Sequence, residues 1–138
     1  MFNILVVEDD KNLRKLITTY LQRNKYNTYE ATNGEEALNV LDQSYIDLIV
    51  SDIMMPKMGG VETLKKLRET VTTPVVALTA DAIEGKCDRY LEVGFSDYLT
   101  KPIERDKLKS VLSKYVRKNN VLKDNGIIIK ITPGNKYL

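Results

Sequence analysis

Glu8 and Asp9 stand together at the end of the apolar run Ile4-Leu5-Val6-Val7, and Asp52 follows Leu48-Ile49-Val50-Ser51. Thr79 closes Val75-Val76-Ala77-Leu78, and Lys101 follows Tyr98-Leu99-Thr100. An acid pair, a third acid, a hydroxyl and an amine, in that order, suit the movement of a phosphoryl group. A carboxylate can attack phosphorus or hold a hard divalent cation, while an ammonium and a hydroxyl can meet the charge that spreads over the phosphoryl oxygens. Residues so far apart in the chain act together only if the fold gathers them. If the four runs are parallel strands of one sheet, their ends meet at one edge, where open α/β sheets bind their ligands.

The spacing of apolar residues supplies such a fold. Leu13, Leu16, Ile17, Tyr20 and Leu21 recur at helical intervals after Asp10 and leave Lys11, Arg14, Lys15 and Gln22 outward. Asp10 needs no role beyond complementing the dipole of that helix's first turn. A short strand is expected around Thr28 to Ala31, and Asn33 with Glu36 forms an N-cap and N3 pair opening a helix that turns Ala37, Leu38 and Leu41 inward. After the strand ending at Asp52, Gly59-Gly60 precedes a third helix on Val61, Leu64 and Leu67, and Pro74 opens the fourth strand. A fourth helix on Ile83, Cys87, Tyr90 and Leu91 stops near Gly94, and a fifth carries Leu108, Val111, Leu112, Tyr115 and Val116. Five strand and helix units without internal repeats predict an α/β fold, a doubly wound parallel sheet covered on both faces.

The 138 residues suffice for one domain with its own core, and 21 basic against 19 acidic residues give only +2, too little to argue for nucleic acid or an anionic membrane. Cys87 alone cannot found a disulfide framework and is read as a small buried hydrophobe, compatible with a reducing cytoplasm. No opening signal and no run of spanning length is seen, so no membrane association is expected and the location is read as cytoplasmic. The chain holds no histidine, which excludes a histidine phosphodonor or histidine catalysis within it.

The segments Ile4 to Asp10 (ILVVEDD), Ser51 to Pro56 (SDIMMP), Ala77 to Ala80 (ALTA) and Asp97 to Pro102 (DYLTKP) together resemble the receiver domain of two-component response regulators, over residues 2 to about 117. That resemblance implies a flavodoxin-like sheet of strand order 2-1-3-4-5 with five helices, and a domain, not a turnover enzyme, that accepts a phosphoryl group from the phosphohistidine of a histidine kinase or phosphotransfer protein. Asp52 is then the phosphoacceptor, assisted by Thr79 and Lys101. Asp9, Asp52 and the backbone carbonyl of Met54 would hold magnesium or manganese, with Glu8 reaching it through water. Thr79 and Tyr98 would form a switch, the ring turning inward as the hydroxyl moves toward the phosphoryl group. Pro102 matches a motif in which a cis peptide aims Lys101 into the pocket. The readout surface would be the predicted fourth helix, fifth strand and fifth helix, with Glu84, Lys86, Asp97, Asp106, Lys107 and Lys114 as candidate contacts for a homodimer or another partner.

Competing functions fit less well. A flavin carrier shares the fold, but Glu8-Asp9-Asp10 would repel a flavin phosphate. An aspartate-nucleophile phosphatase would want an acid where Met54 stands. Met54, Met55 and Met58 are soft thioethers, better suited to packing than to binding magnesium. Gly59 replaces an acid or serine common in the family and loosens the loop after Asp52. Ile103 and the stretch Ala77 to Gly85 resemble receivers of hybrid sensor kinases, whereas the first half resembles regulators with a winged-helix output. Residues 118–138 read as a linker and a β-prone tail, Ile127 to Ile131, either the truncated start of an output domain or an added edge strand. DNA would be met only through such an output domain.

Overall fold

A computed structural model describes residues 2–52, 65–66, 69, 72–79 and 94–119. The chain runs β1 (Asn3–Val7), α1 (Lys11–Arg23), β2 (Asn27–Ala31), α2 (Gly34–Gln43), β3 (Leu48–Asp52), β4 (Val75–Thr79), β5 (Asp97–Thr100) and α3 (Arg105–Asn119). All five strands pair in parallel in the order β2-β1-β3-β4-β5, the order that the receiver-domain resemblance implies.

The central strands β1, β3 and β4 are buried on both faces because their residues are mostly apolar without alternation. Ile4, Val6, Leu48, Val50, Val76, Leu78 and Leu99 join Ile17, Tyr20 and Leu21 of α1 and Leu108, Leu112 and Tyr115 of α3 in one core cluster. Their strand neighbours Leu5, Val7, Ile49, Val75 and Ala77 pack on the opposite face with Ala37 of α2, Ile46 and Phe95. Successive side chains point to opposite faces, so each short run supplies both cores at once.

The helix ends follow local chemistry. Asp10 is the N-cap of α1, its Oδ1 accepting from the N–H groups of Asn12 at 2.9 Å and Leu13 at 3.2 Å. Asn33 caps α2 by accepting from the Glu36 N–H at 2.9 Å, and Glu36 reaches back to the Thr32 N–H at 3.1 Å. α1 ends with Lys25 at φ 68°, where Lys25 N–H donates to Gln22 O at 3.0 Å and Tyr26 N–H to Leu21 O at 3.0 Å. Those two bonds make a Schellman motif whose left-handed position would suit glycine better than lysine.

The expectation of five covering helices is corrected: among the described residues the sheet carries three. The segments read as the third and fourth helices lie outside the described residues, apart from isolated positions such as Lys65 and Lys66. Each was read from few apolar positions, three and four against five in each of α1 and α3. α2 has only three inward positions as well, but the Asn33 and Glu36 cap fixes where it starts. Leu16 is a second correction, because it is 50% exposed on α1 and not turned into the core. No helix among the described residues is long and apolar enough to cross a membrane.

Candidate functional site: an acid cluster at the sheet's carboxyl edge

The strand order reverses direction between β1 and β3, so the connections leaving their ends diverge and open a crevice there. Glu8 and Asp9 follow β1, and Asp52 is the last residue of β3. Val7 pairs with Ser51, which places the acid pair beside Asp52. Carboxylate oxygens of Glu8, Asp9 and Asp52 all lie within 4.8 Å of one another. Glu8 and Asp52 are buried, while Asp9 is exposed at the mouth.

Lys101 answers this charge from the far side. β4 and β5 end in register at Thr79 and Thr100, and the Lys101 N–H donates to Thr79 O at 2.7 Å. The Lys101–Pro102 peptide is cis, as the motif implied. Lys101 Nζ stands 3.3 Å from Asp52 Oδ2 as a hydrogen-bonded pair and 2.9 Å from Glu8 Oε1 as an ion pair. Burial works to lower the Lys101 pKa, but the contact with Glu8 and the charge of Asp52 outweigh it and hold the ammonium above its ordinary value.

Glu8 carries the electrostatic cost of the site. Desolvation first, then its contact with Asp52, pushes its carboxyl up to about 7, against a smaller lowering by Lys101. Three carboxylates face one ammonium, which lies 2.9 Å from Glu8 Oε1 and 3.3 Å from Asp52 Oδ2. Carboxylates packed together in excess of their one cation are the arrangement that a divalent ion, or water held by one, would relieve. The donor set is all oxygen, which suits a hard divalent ion. The cluster is therefore capable of coordinating a divalent metal.

Thr79 is buried at the end of β4, and Tyr98, on β5, is partly buried against the α2-side core. Asp97 pairs with Lys114 at 3.4 Å and Lys107 with Glu104 at 3.0 Å, while Asp106 is exposed. Met54, Glu84, Lys86 and Cys87 lie outside the described residues. Sequence reading missed Arg14: expected outward, it donates from Nη1 to the Glu8 carbonyl at 2.8 Å and from Nε to Glu30 Oε1 at 3.1 Å. The available signal was its place one turn past the Asp10 cap, which sets it over the acid pair. A groove of about 450 Å³ also opens between α1 and the start of α3, lined by Lys15, Leu16, Tyr20, Arg23 and Arg105 among others.

A doubly wound parallel sheet with an acid cluster and a lysine at its switch point defines a class, flavodoxin-like signalling domains that handle phosphoryl groups. The chain belongs to the response regulator receiver domain family, whose model matches residues 4–113. It is 42% identical over 120 residues to the transcriptional regulatory protein CpxR of Escherichia coli K12, an alignment covering 87% of this chain and 51% of CpxR. The chain thus spans about half the length of that curated relative. Among solved structures it resembles the Francisella response regulator 1452 receiver domain, with TM-score 0.82 and 34% identity over 87% of this chain and all of that one. It also resembles the receiver domain of sensor histidine kinase PA1611 from Pseudomonas aeruginosa PAO1, determined with magnesium coordinated in its active site cleft, at TM-score 0.76 and 28% identity over 83% of this chain and 97% of that one. The protein is a two-component receiver domain, homologous to transcriptional response regulators, whose acidic cluster is suited to magnesium-dependent phosphorylation. As such it is a signalling domain.

Proposed function

We propose that Asp52 is the phosphoacceptor and that Glu8, Asp9, Thr79 and Lys101 serve its transfer reaction. The observation that carries this reading is the position of Asp52, buried within 4.8 Å of both neighbouring acids and hydrogen-bonded to Lys101 at 3.3 Å. Asp9 and Asp52 would hold magnesium or manganese directly and Glu8 through water, with the Met54 carbonyl as a further ligand from outside the described residues. The metal would supply positive charge beside the equatorial phosphoryl oxygens.

The chain's own residues do the rest. An Asp52 carboxylate oxygen forms a bond to phosphorus as the P–N bond of a donor phosphohistidine breaks, and the imidazole leaves with the electron pair and takes up a proton. Lys101 is already charged and aimed at Asp52, so it meets the growing negative charge without reorganising. The Thr79 hydroxyl, at the next strand end, would donate to a phosphoryl oxygen. Water later attacks phosphorus, releases phosphate and restores the carboxylate.

Residues 1–117 would form the receiver and 118–138 the linker and first segment of an output region. The CpxR likeness favours a transcriptional output, whereas the likeness to a sensor-kinase receiver keeps the hybrid-kinase reading open. The donor would be a histidine kinase or phosphotransfer protein. The half-exposed Leu16 in the α1 groove, close in sequence to Asp9, supports docking of a donor helix there. Readout would fall on β5, α3 and the segment before them, through Thr79 and Tyr98, with the half-buried Asp97 and the exposed Asp106, Lys107 and Lys114 as contacts for a homodimer.

Intact mass after treatment with acetyl phosphate tests the assignment. One phosphoryl group should be added with magnesium present and none with chelator. An Asp52→Asn variant modified to the wild-type level would overturn it.

A further inference from the structure

Helical periodicity places Arg14 on the solvent face of α1, yet its side chain is only 15% exposed. It folds back over the first turn of the helix. Nη1 donates to the Glu8 carbonyl at 2.8 Å, and Nε donates to Oε1 of Glu30 at 3.1 Å. The Glu8 N–H donates to the Ala31 carbonyl at the end of β2, at 3.0 Å. Both backbone polar groups of Glu8 are thus tied to β2, one directly and the other through Arg14 and Glu30. Glu30 sits opposite Val6 in the β1–β2 register, which fixes the anchor two residues before the acid pair.

The Glu8 carbonyl shares a rigid plane with the Asp9 N–H. Turning that plane swings the direction in which the Asp9 side chain leaves the backbone. Asp9 has passed the end of β1 and precedes the Asp10 cap, so no ladder bond of the sheet holds it. We propose that Arg14, braced by Glu30, is a positioning residue that fixes the Glu8–Asp9 peptide and thereby sets the affinity of the acid cluster for a divalent cation. The inference rests on the metal reading given above and adds to it a determinant on α1 and β2.

Coulomb's law alone gives the opposite sign. Removing a cation beside three carboxylates should strengthen cation binding. Partners that only orient ligands cost about 10-fold to 100-fold in metal affinity when lost. Arg14 holds backbone and not a ligand atom, so the lower end applies. Lysine at this position keeps the charge but cannot make both bonds from one planar fork.

The experiment is a magnesium titration of the full chain, followed by amide shifts of residues 8–14, with cooperative unfolding of every variant checked in chelator. Arg14→Gln should weaken magnesium binding about 10-fold, and Arg14→Lys should not restore it. Glu30→Gln should weaken it by about 3-fold, and the double variant should bind no worse than Arg14→Gln alone, since the two residues act as one brace. A merely structural role would lower the melting temperature in chelator and leave the affinity unchanged. Binding by Arg14→Gln equal to or tighter than wild type would overturn the inference while leaving the metal reading intact. Failure of the wild type to saturate would instead remove the metal reading, and the inference with it.

Discussion

Replacing Glu8 with glutamine should stabilise the metal-free protein, and by an amount that grows with pH. Glu8 is fully buried, and its carboxyl is raised from 4.5 to about 7, by desolvation first and by Asp52 next. A folded-state pKa above the unfolded one means that the native state binds its proton more tightly. The stability this lends is fully present below about pH 4.5 and is lost as pH rises through about 7. Each unit corresponds to about 1.4 kcal/mol, so the loss approaches 3 kcal/mol at about pH 8. Glutamine keeps the shape and cannot ionise, but it surrenders the ion pair with Lys101, which trims the gain to about 2 kcal/mol. For a domain of this size that is roughly an 8 °C rise in melting temperature. Thermal unfolding of both proteins in chelator, from about pH 4 to 8, measures it. The curves should converge at the acid end and separate progressively above about pH 5, and magnesium should close the gap by stabilising the wild type. A variant less stable than wild type at the alkaline end, or a gain independent of pH, would refute the reasoning and show that the pair with Lys101 dominates.

Asp9→Asn should abolish magnesium binding while leaving the melting temperature in chelator unchanged or higher, because Asp9 lies exposed at the mouth of a repulsive cluster; a fall of several degrees would make it structural. Lys25→Gly should raise stability by about 0.5 kcal/mol, the left-handed strain relieved less the added chain entropy, as read by urea unfolding. Beryllofluoride with magnesium should shift amides of Tyr98 and of α3 as well as those of the pocket, reflecting a population shift. Shifts confined to residues 8–10, 52 and 79 would rule out the Thr79 and Tyr98 switch.

The elements nearest the sheet were legible in the chain itself, because each is specified locally. Four short apolar runs announce the strands whose ends carry the site, and Asn33 with Glu36 marks a helix start by bonds that span at most a few residues. α3 was read residue for residue, since Leu108, Val111, Leu112, Tyr115 and Val116 repeat one period and all are buried. The identities of Glu8, Asp9, Asp52, Thr79 and Lys101 were legible too, as polar residues closing apolar runs. Other features depended on neighbours distant in the chain. Leu16 fits the helical period but faces the groove toward α3, and Arg14 fits the solvent face but finds two acceptors near β2. Five helices were expected and three cover the sheet among the described residues, the segments read as the other two lying outside them. Only tertiary structure decided that Glu8 is buried, and that Lys101 pairs with both it and Asp52. Residue type fixes which group can ionise, but desolvation and Coulomb energy depend on distances between strand ends, and these exist only once the sheet has formed.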